Sequence, residues 1–170
     1  ECIKAKTEGH EIYIETCPQY LEFTCDVYKR EDGRNFVCSP PMKGKESQDA
    51  LWTALKAGLI DTVATDHCPF QSYEKDWGKD DFTKIPNGCA GIENLYPYML
   101  DAANSGKITF ERAVEVCSTN PAKIFGCDSK GAIEVGKDAD IVIYDKDKDF
   151  TVSVNNMHSD CDHTIWEGKK

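Results

Sequence analysis

The order of hydrophobic periodicities constrains this chain most. Residues Glu11-Ile12-Tyr13-Ile14-Glu15-Thr16 alternate and are β-rich, which predicts a strand. Between Ser47 and Leu59 the apolar residues Ala50, Leu51, Ala54, Leu55 and Leu59 recur at helical spacing, with Gly58 near the end. Thr62-Val63-Ala64-Thr65 is short and uncharged, which predicts a buried strand. Helical spacing returns at Ile92, Leu95, Met99, Leu100 and Ala103. Thr109 suits the N-cap of a shorter helix running to Cys117. Asn120-Pro121 suits the N-cap and first residue of a brief helix ended by Gly126. After Gly131 the texture is β-only, with the run Ala139–Asp145 and weak alternation at Phe150, Val152 and Val154. This order predicts an α/β unit handing over to a separate β layer.

Both early strands lead into polar segments rich in Pro and Gly. Cys17-Pro18 ends the first, and the charged stretch Asp26–Asn35 reads as a loop. Phe36-Val37-Cys38-Ser39-Pro40-Pro41 reads as a short extended piece, because its double proline continues neither a ladder nor a helix. The second strand delivers Asp66-His67-Cys68-Pro69. Gln71–Gly91 then forms a long polar loop around the turn Pro86-Asn87-Gly88. In a (β/α)₈ barrel, the loops after strands carry the chemistry.

Composition removes several function classes. Lys+Arg number 20 against 30 Asp+Glu, a net charge of −10, whereas a phosphate-backbone binder needs a basic face. No window approaches 18 uncharged apolar residues, so no membrane span is expected. The nine cysteines, at 2, 17, 25, 38, 68, 89, 117, 127 and 161, form no C-x-x-C. Their plain reading is small buried hydrophobes in a reducing cytosol, which predicts a cytoplasmic protein. The chain opens Glu1-Cys2-Ile3-Lys4, without Met and without a signal-peptide apolar region.

Asp66-His67 is the sharpest chemical feature. A carboxylate and an imidazole at the mouth of a barrel strand can ligate a metal or move a proton. The residues alone leave open a structural reading, with Asp66 capping the turn and His67 packing beneath it. Strand neighbours point to opposite faces, so only one of the two enters the barrel mouth. His10, His158 and His163 form no H-x-H or H-E-x-x-H and read as surface or satisfied histidines. The charged runs Lys79–Lys84 and Asp145–Asp149 read as solvated loops.

Six segments stand in order: Glu15-Thr16-Cys17-Pro18-Gln19-Tyr20-Leu21, Ser39-Pro40-Pro41-Met42, Ala64-Thr65-Asp66-His67-Cys68-Pro69-Phe70, Lys84-Ile85-Pro86-Asn87-Gly88, Ser118-Thr119-Asn120-Pro121-Ala122-Lys123 and Gly136-Lys137-Asp138-Ala139-Asp140-Ile141-Val142-Ile143. Together they resemble the dihydropyrimidinase/hydantoinase family of cyclic amidohydrolases, from about Gly9 to Gly168. The first and third are the more specific; the last two recur across the wider amidohydrolase superfamily. Cys89-Ala90 departs from the family, which more often has Gly and a small residue there, close to Asn87.

The resemblance implies an α/β fold, the last part of a (β/α)₈ TIM-type barrel over residues 1–126 and part of a small β-sandwich over 127–170. It implies two zinc ions bridged by a hydroxide and a carboxylated lysine, and hydrolytic opening of a dihydropyrimidine or hydantoin ring at a C–N bond. By position, Asp66 matches the metal ligand that also shuttles the proton. Ser39 and Asn87 match residues whose main-chain groups hydrogen-bond the ring amide. His67 is then a supporting or packing residue. The other ligands the family needs, an H-x-H pair, a Lys and two further His, lie outside this sequence. The chain is therefore expected to be the C-terminal part of a longer enzyme and inactive alone. Relatives are often homotetramers. Two other classes stand beside this one: a non-catalytic, scaffolding relative of the family, and an isolated αβ binding module.

Overall fold

The computed structural model describes residues 1–170. Its organising unit is a parallel pair, β1 (Glu15–Thr16) and β2 (Thr62–Val63), with Glu15 opposite Thr62 and Thr16 opposite Val63. The pairing extends beyond the strands, since Asp61 N–H donates to the Ile14 carbonyl (2.7 Å) and Ala64 N–H to that of Thr16 (3.0 Å). Both strands are shorter than the runs Glu11–Thr16 and Thr62–Thr65, because the ladder lasts only where the two segments lie side by side.

The residues between them fold as helices. Pro18 does not merely stop β1. It opens α2 (Pro18–Glu22), where its missing N–H costs nothing. The helical spacing at 47–59 becomes α3 (Lys45–Lys56), whose Leu55 is fully buried. A helix α1 (Cys2–Thr7) precedes β1 and carries no buried residue, so no hydrophobic period marks it. The long loop holds α4 (Ser72–Lys75) and two 3₁₀ turns, Asp76–Gly78 and Phe82–Lys84. α5 (Leu95–Asn104) supplies Met99, Ala102 and Ala103 to the core.

The Thr109 hydroxyl accepts from Arg112 N–H (3.1 Å) and caps α6 (Phe110–Val114), as predicted. The next turn differs from expectation. The backbone widens into a π-turn at Glu115–Thr119 and runs directly into α7 (Asn120–Ile124). Asn120 is therefore inside the helix rather than its cap, and its side chain donates to the Asp61 carbonyl (2.8 Å) instead. The Arg112 guanidinium donates to the carbonyls of Leu55 (2.9 Å) and Ile60. The Leu55 carbonyl thus gains a second donor beside Gly58 N–H (3.2 Å), and the Ile60 carbonyl just before β2 is tied to α6.

Two apolar clusters hold the unit together. One gathers Leu21, Leu55, Ile60, Val63, Met99 and Val116. The other gathers Phe23, Phe36, Cys38, Met42 and Cys89 with Val152, Ile165 and Trp166 from the far end of the chain. Tyr98 packs against both.

The expected β layer does not form a ladder. Ala139–Asp145 has no strand partner and is exposed throughout, Ile143 to 94%. A β-rich run becomes a strand only when another segment pairs with it. Residues 151–166 form no strand either; they contain a 3₁₀ turn (Val154–Asn156) and insert Val152, Ile165 and Trp166 into the second core.

Candidate active site

β2 ends in a sharp change of backbone direction. Asp66 is the one non-glycine residue with positive φ, at 47°. That left-handed region costs a side-chain-bearing residue of order 1–3 kcal/mol, and Asp and Asn occupy it most readily. The turn separates the two neighbours. The Asp66 carboxylate is exposed, accepts no hydrogen bond from the protein, and lines a concavity of about 500 Å³ with Glu15, Cys17, Tyr20 and Pro41. Gln19, buried on α2, steadies the approach by donating to the Thr65 carbonyl (3.3 Å).

His67 turns inward. Its Nδ1 accepts from the N–H groups of Gly91 (3.0 Å) and Ile92 (3.3 Å), which leaves the proton on Nε2. Cys68 N–H donates to the Cys89 carbonyl (3.1 Å), so the chain after Asp66 pairs with the segment after Asn87. His67 thereby braces the loop behind the carboxylate.

Ser39 and Asn87, far apart in sequence, are both exposed and line one concavity of about 1000 Å³. Pro41 borders this hollow and that of Asp66, so the two adjoin. Glycine is required at 88: a Cβ there would lie 2.6 Å from the Cys68 carbonyl oxygen, at φ 154°.

Sequence reasoning missed Lys75. It is 1% exposed, and its ammonium donates to the carbonyls of Val37 (3.0 Å), Pro86 (2.7 Å) and Gly88 (2.7 Å). It also lies 5.4 Å from the centre of the Phe70 ring. Burial pushes its pKa below the usual lysine value. A capping box at α4, with Gln71 N–H donating to the Glu74 carboxylate (2.7 Å), holds the helix that carries it. A lysine inside a polar loop gives no signal in sequence, because partners 38, 11 and 13 residues away supply its environment.

The thiols near the site are unlike one another. Burial pushes Cys17, beside Asp66, up to about 12. The neighbouring Cys89 thiol, the Tyr20 hydroxyl (3.8 Å) and the Lys75 charge hold Cys38 below the ordinary thiol value despite its burial. All nine cysteines are free.

Donor atoms of Cys161, Asp162 and His163 lie within 4.8 Å of one another. Their atoms are already committed: Cys161 Sγ donates to the Phe70 carbonyl (3.0 Å), and the Asp162 carboxylate accepts from the Ser72 N–H (2.8 Å) and hydroxyl. The cluster ties the C-terminal stretch to the segment after His67.

A metal ion needs more donors than the Asp66 corner alone supplies. The unpartnered Asp66 carboxylate fits as one oxygen ligand, while His67 Nδ1 is committed to two backbone N–H groups.

Comparison with known proteins places this geometry. The chain is 39% identical over 175 residues to a D-hydantoinase of Rhizobium radiobacter, an alignment that takes in 100% of this chain and 38% of that protein. It superposes on a D-hydantoinase structure with a TM-score of 0.94 at 38% identity, over 98% of this chain and 37% of the other. It superposes on the dihydropyrimidinase from Brevibacillus agri NCHU1002 with a TM-score of 0.92 at 43% identity, over 97% of this chain and 37% of the other. The chain thus spans less than two-fifths of the length of these proteins. Residues 14–170 match the model of the amidohydrolase family, and the chain belongs to that family.

Proposed function

We propose that these 170 residues form the C-terminal part of a metal-dependent hydrolase that opens dihydropyrimidine or hydantoin rings at a C–N bond. The observation that carries this reading is the exposed, unpartnered Asp66 carboxylate at the end of β2, in a hollow adjoining the one that Ser39 and Asn87 share. Residues 1–126 are the end of a (β/α)₈ barrel and 127–170 part of a flanking β-sandwich. The exposed apolar side chains of Ile133, Val135, Ile141, Val142 and Ile143 support the second assignment, as surface that a pairing sheet would bury.

Amidohydrolases are generally metal-dependent, and two zinc ions suit the chemistry proposed here. When bound, such ions would supply the acidity that makes a water nucleophilic near neutral pH. Asp66 would hold one of them through a carboxylate oxygen. It also takes the proton of the attacking water and delivers it to the departing ring nitrogen. Main-chain groups of Ser39 and Asn87 hold the ring amide in place, so that the carbonyl meets the nucleophile in one orientation. His67 keeps the loop behind Asp66 from moving.

The free thiols suit a reducing compartment, for which the cytoplasm is our assignment. No helix is long and apolar enough to cross a membrane. A homotetramer is the assembly we assign by resemblance. The named relatives are hydrolases, which favours catalysis over a scaffolding role.

The test is hydrolysis of hydantoin and of 5,6-dihydrouracil by the longer protein that carries this chain, before and after chelation. Turnover lost with the metal and restored by zinc supports the reading. Binding without turnover in the metal-loaded protein would return it to a scaffold.

A further inference from the structure

The geometry points to Lys75 as a positioning residue for the substrate: its buried ammonium fixes the Asn87 turn against the Ser39 segment and aims the main-chain groups that grip the ring amide. This rests on the reading above that Ser39 and Asn87 contact the ring.

Three observations carry it. First, the ammonium joins segments distant in sequence. It donates to Val37, two residues before Ser39, and to Pro86 and Gly88, which flank Asn87 on both sides. Second, the same Val37 carbonyl accepts from Gly88 N–H (2.9 Å), so cation and backbone close one network. Third, peptide planarity converts these bonds into directions. The peptides around Asn87 are trans, and in a trans peptide C=O and N–H point opposite ways. With the Pro86 carbonyl turned onto the ammonium, Asn87 N–H points away from it. With Gly88 N–H turned onto Val37, the Asn87 carbonyl points away from Val37. Asn87 therefore presents a donor and an acceptor away from the buried side, the acceptor meeting only the long contact from the Cys68 thiol (3.8 Å), which is what a cyclic amide requires of a partner.

A buried cation is a demanding way to fasten two loops, since removing its charge from water is costly. Three carbonyls and the Phe70 face replace its hydration. A lost clamp weakens binding of substrate and transition state alike, so its signature is in KM rather than kcat.

The test uses the longer protein with hydantoin and 5,6-dihydrouracil as probes. Lys75→Met keeps the stem and removes the charge; Lys75→Arg keeps a cationic donor. The expected result is a KM raised about tenfold or more in K75M with kcat within about threefold, and a smaller rise in K75R. Hydrogen exchange at Gly88 N–H, protected in the wild type, accelerates in K75M while the exchange of α5 is unchanged. An unchanged KM in a folded variant overturns the proposal, and so does a fall confined to kcat. Failure of both variants to fold also overturns it, by assigning Lys75 to stability alone. If the wild type hydrolyses neither ring, the cyclic-amide reading falls by itself. Exchange at Gly88 then judges the clamp, and unchanged protection in K75M sinks it.

Discussion

Two β-rich runs in this chain meet opposite fates. Thr62-Val63-Ala64-Thr65 is short, yet Thr62 and Val63 are buried, pair with β1 and lead into Asp66. Ala139–Asp145 is longer and holds the bulkier apolar run Ile141-Val142-Ile143, yet it is solvent-exposed and unpaired. The difference lies in the surroundings. β2 has a neighbour in Glu15–Thr16 and a helical layer, through Leu55, Met99 and Val116, to cover it. The later run has no strand to pair with, and touches the helical layer through Tyr144, whose ring centre lies 5.9 Å from that of Phe110. Propensity proposes a strand, and a ladder with a covered face makes one.

That contrast can be broken by substitution. The largest effect is expected at Leu55→Ala, where a fully buried side chain leaves a cavity. The 170-residue chain should lose about 2–5 kcal/mol in denaturant unfolding. Arg112→Met should cost about 1.5–3 kcal/mol, because the carbonyls of Leu55 and Ile60 lose a charged donor. An unchanged midpoint in R112M would mean that water replaces the guanidinium and that the join of α3 to β2 is looser than described.

A pH scan sharpens the same comparison. The Cys17 and Cys117 thiols are both pushed up to about 12 by burial, above the ordinary value of 9.0. Between those values the folded chain holds protons that the unfolded chain has released. Stability from each thiol is therefore fully present below about pH 9 and lost as pH rises toward 12, by about 1 kcal/mol per thiol between pH 9 and 10. Cys17→Ala should flatten that fall in unfolding midpoint against pH. An identical slope would contradict the burial of Cys17. The smallest effect is expected at Ile143→Ala, within about 0.5 kcal/mol of the parent chain. A loss there comparable to that of L55A would erase the contrast between the two runs.

The sequence made legible whatever rests on local pattern. Helical spacing located α3 and α5, Thr109 announced its cap, and the two early β-rich runs located the parallel pair. Asp66 stood out because an uncharged run delivers it, and resemblance drew Ser39 and Asn87 toward it. What escaped depends on distant partners. Asn120-Pro121 has the look of a helix start, but Asp61 draws the Asn120 side chain and the π-turn carries the helix through. Trp166 and Ile165 sit among polar residues without a clear period, yet they complete the core around Phe23. Lys75 has the composition of a solvated loop and the environment of a core residue.

The central claim is that Asp66 is the working carboxylate of this corner. Its most direct test is Asp66→Asn in the longer protein, assayed for hydrolysis of hydantoin and 5,6-dihydrouracil, with bound metal and folding measured on the same sample. The account predicts a folded protein whose turnover falls by about 10²–10⁴-fold or more, with less metal retained. A D66N protein that keeps full metal content and wild-type turnover would contradict it.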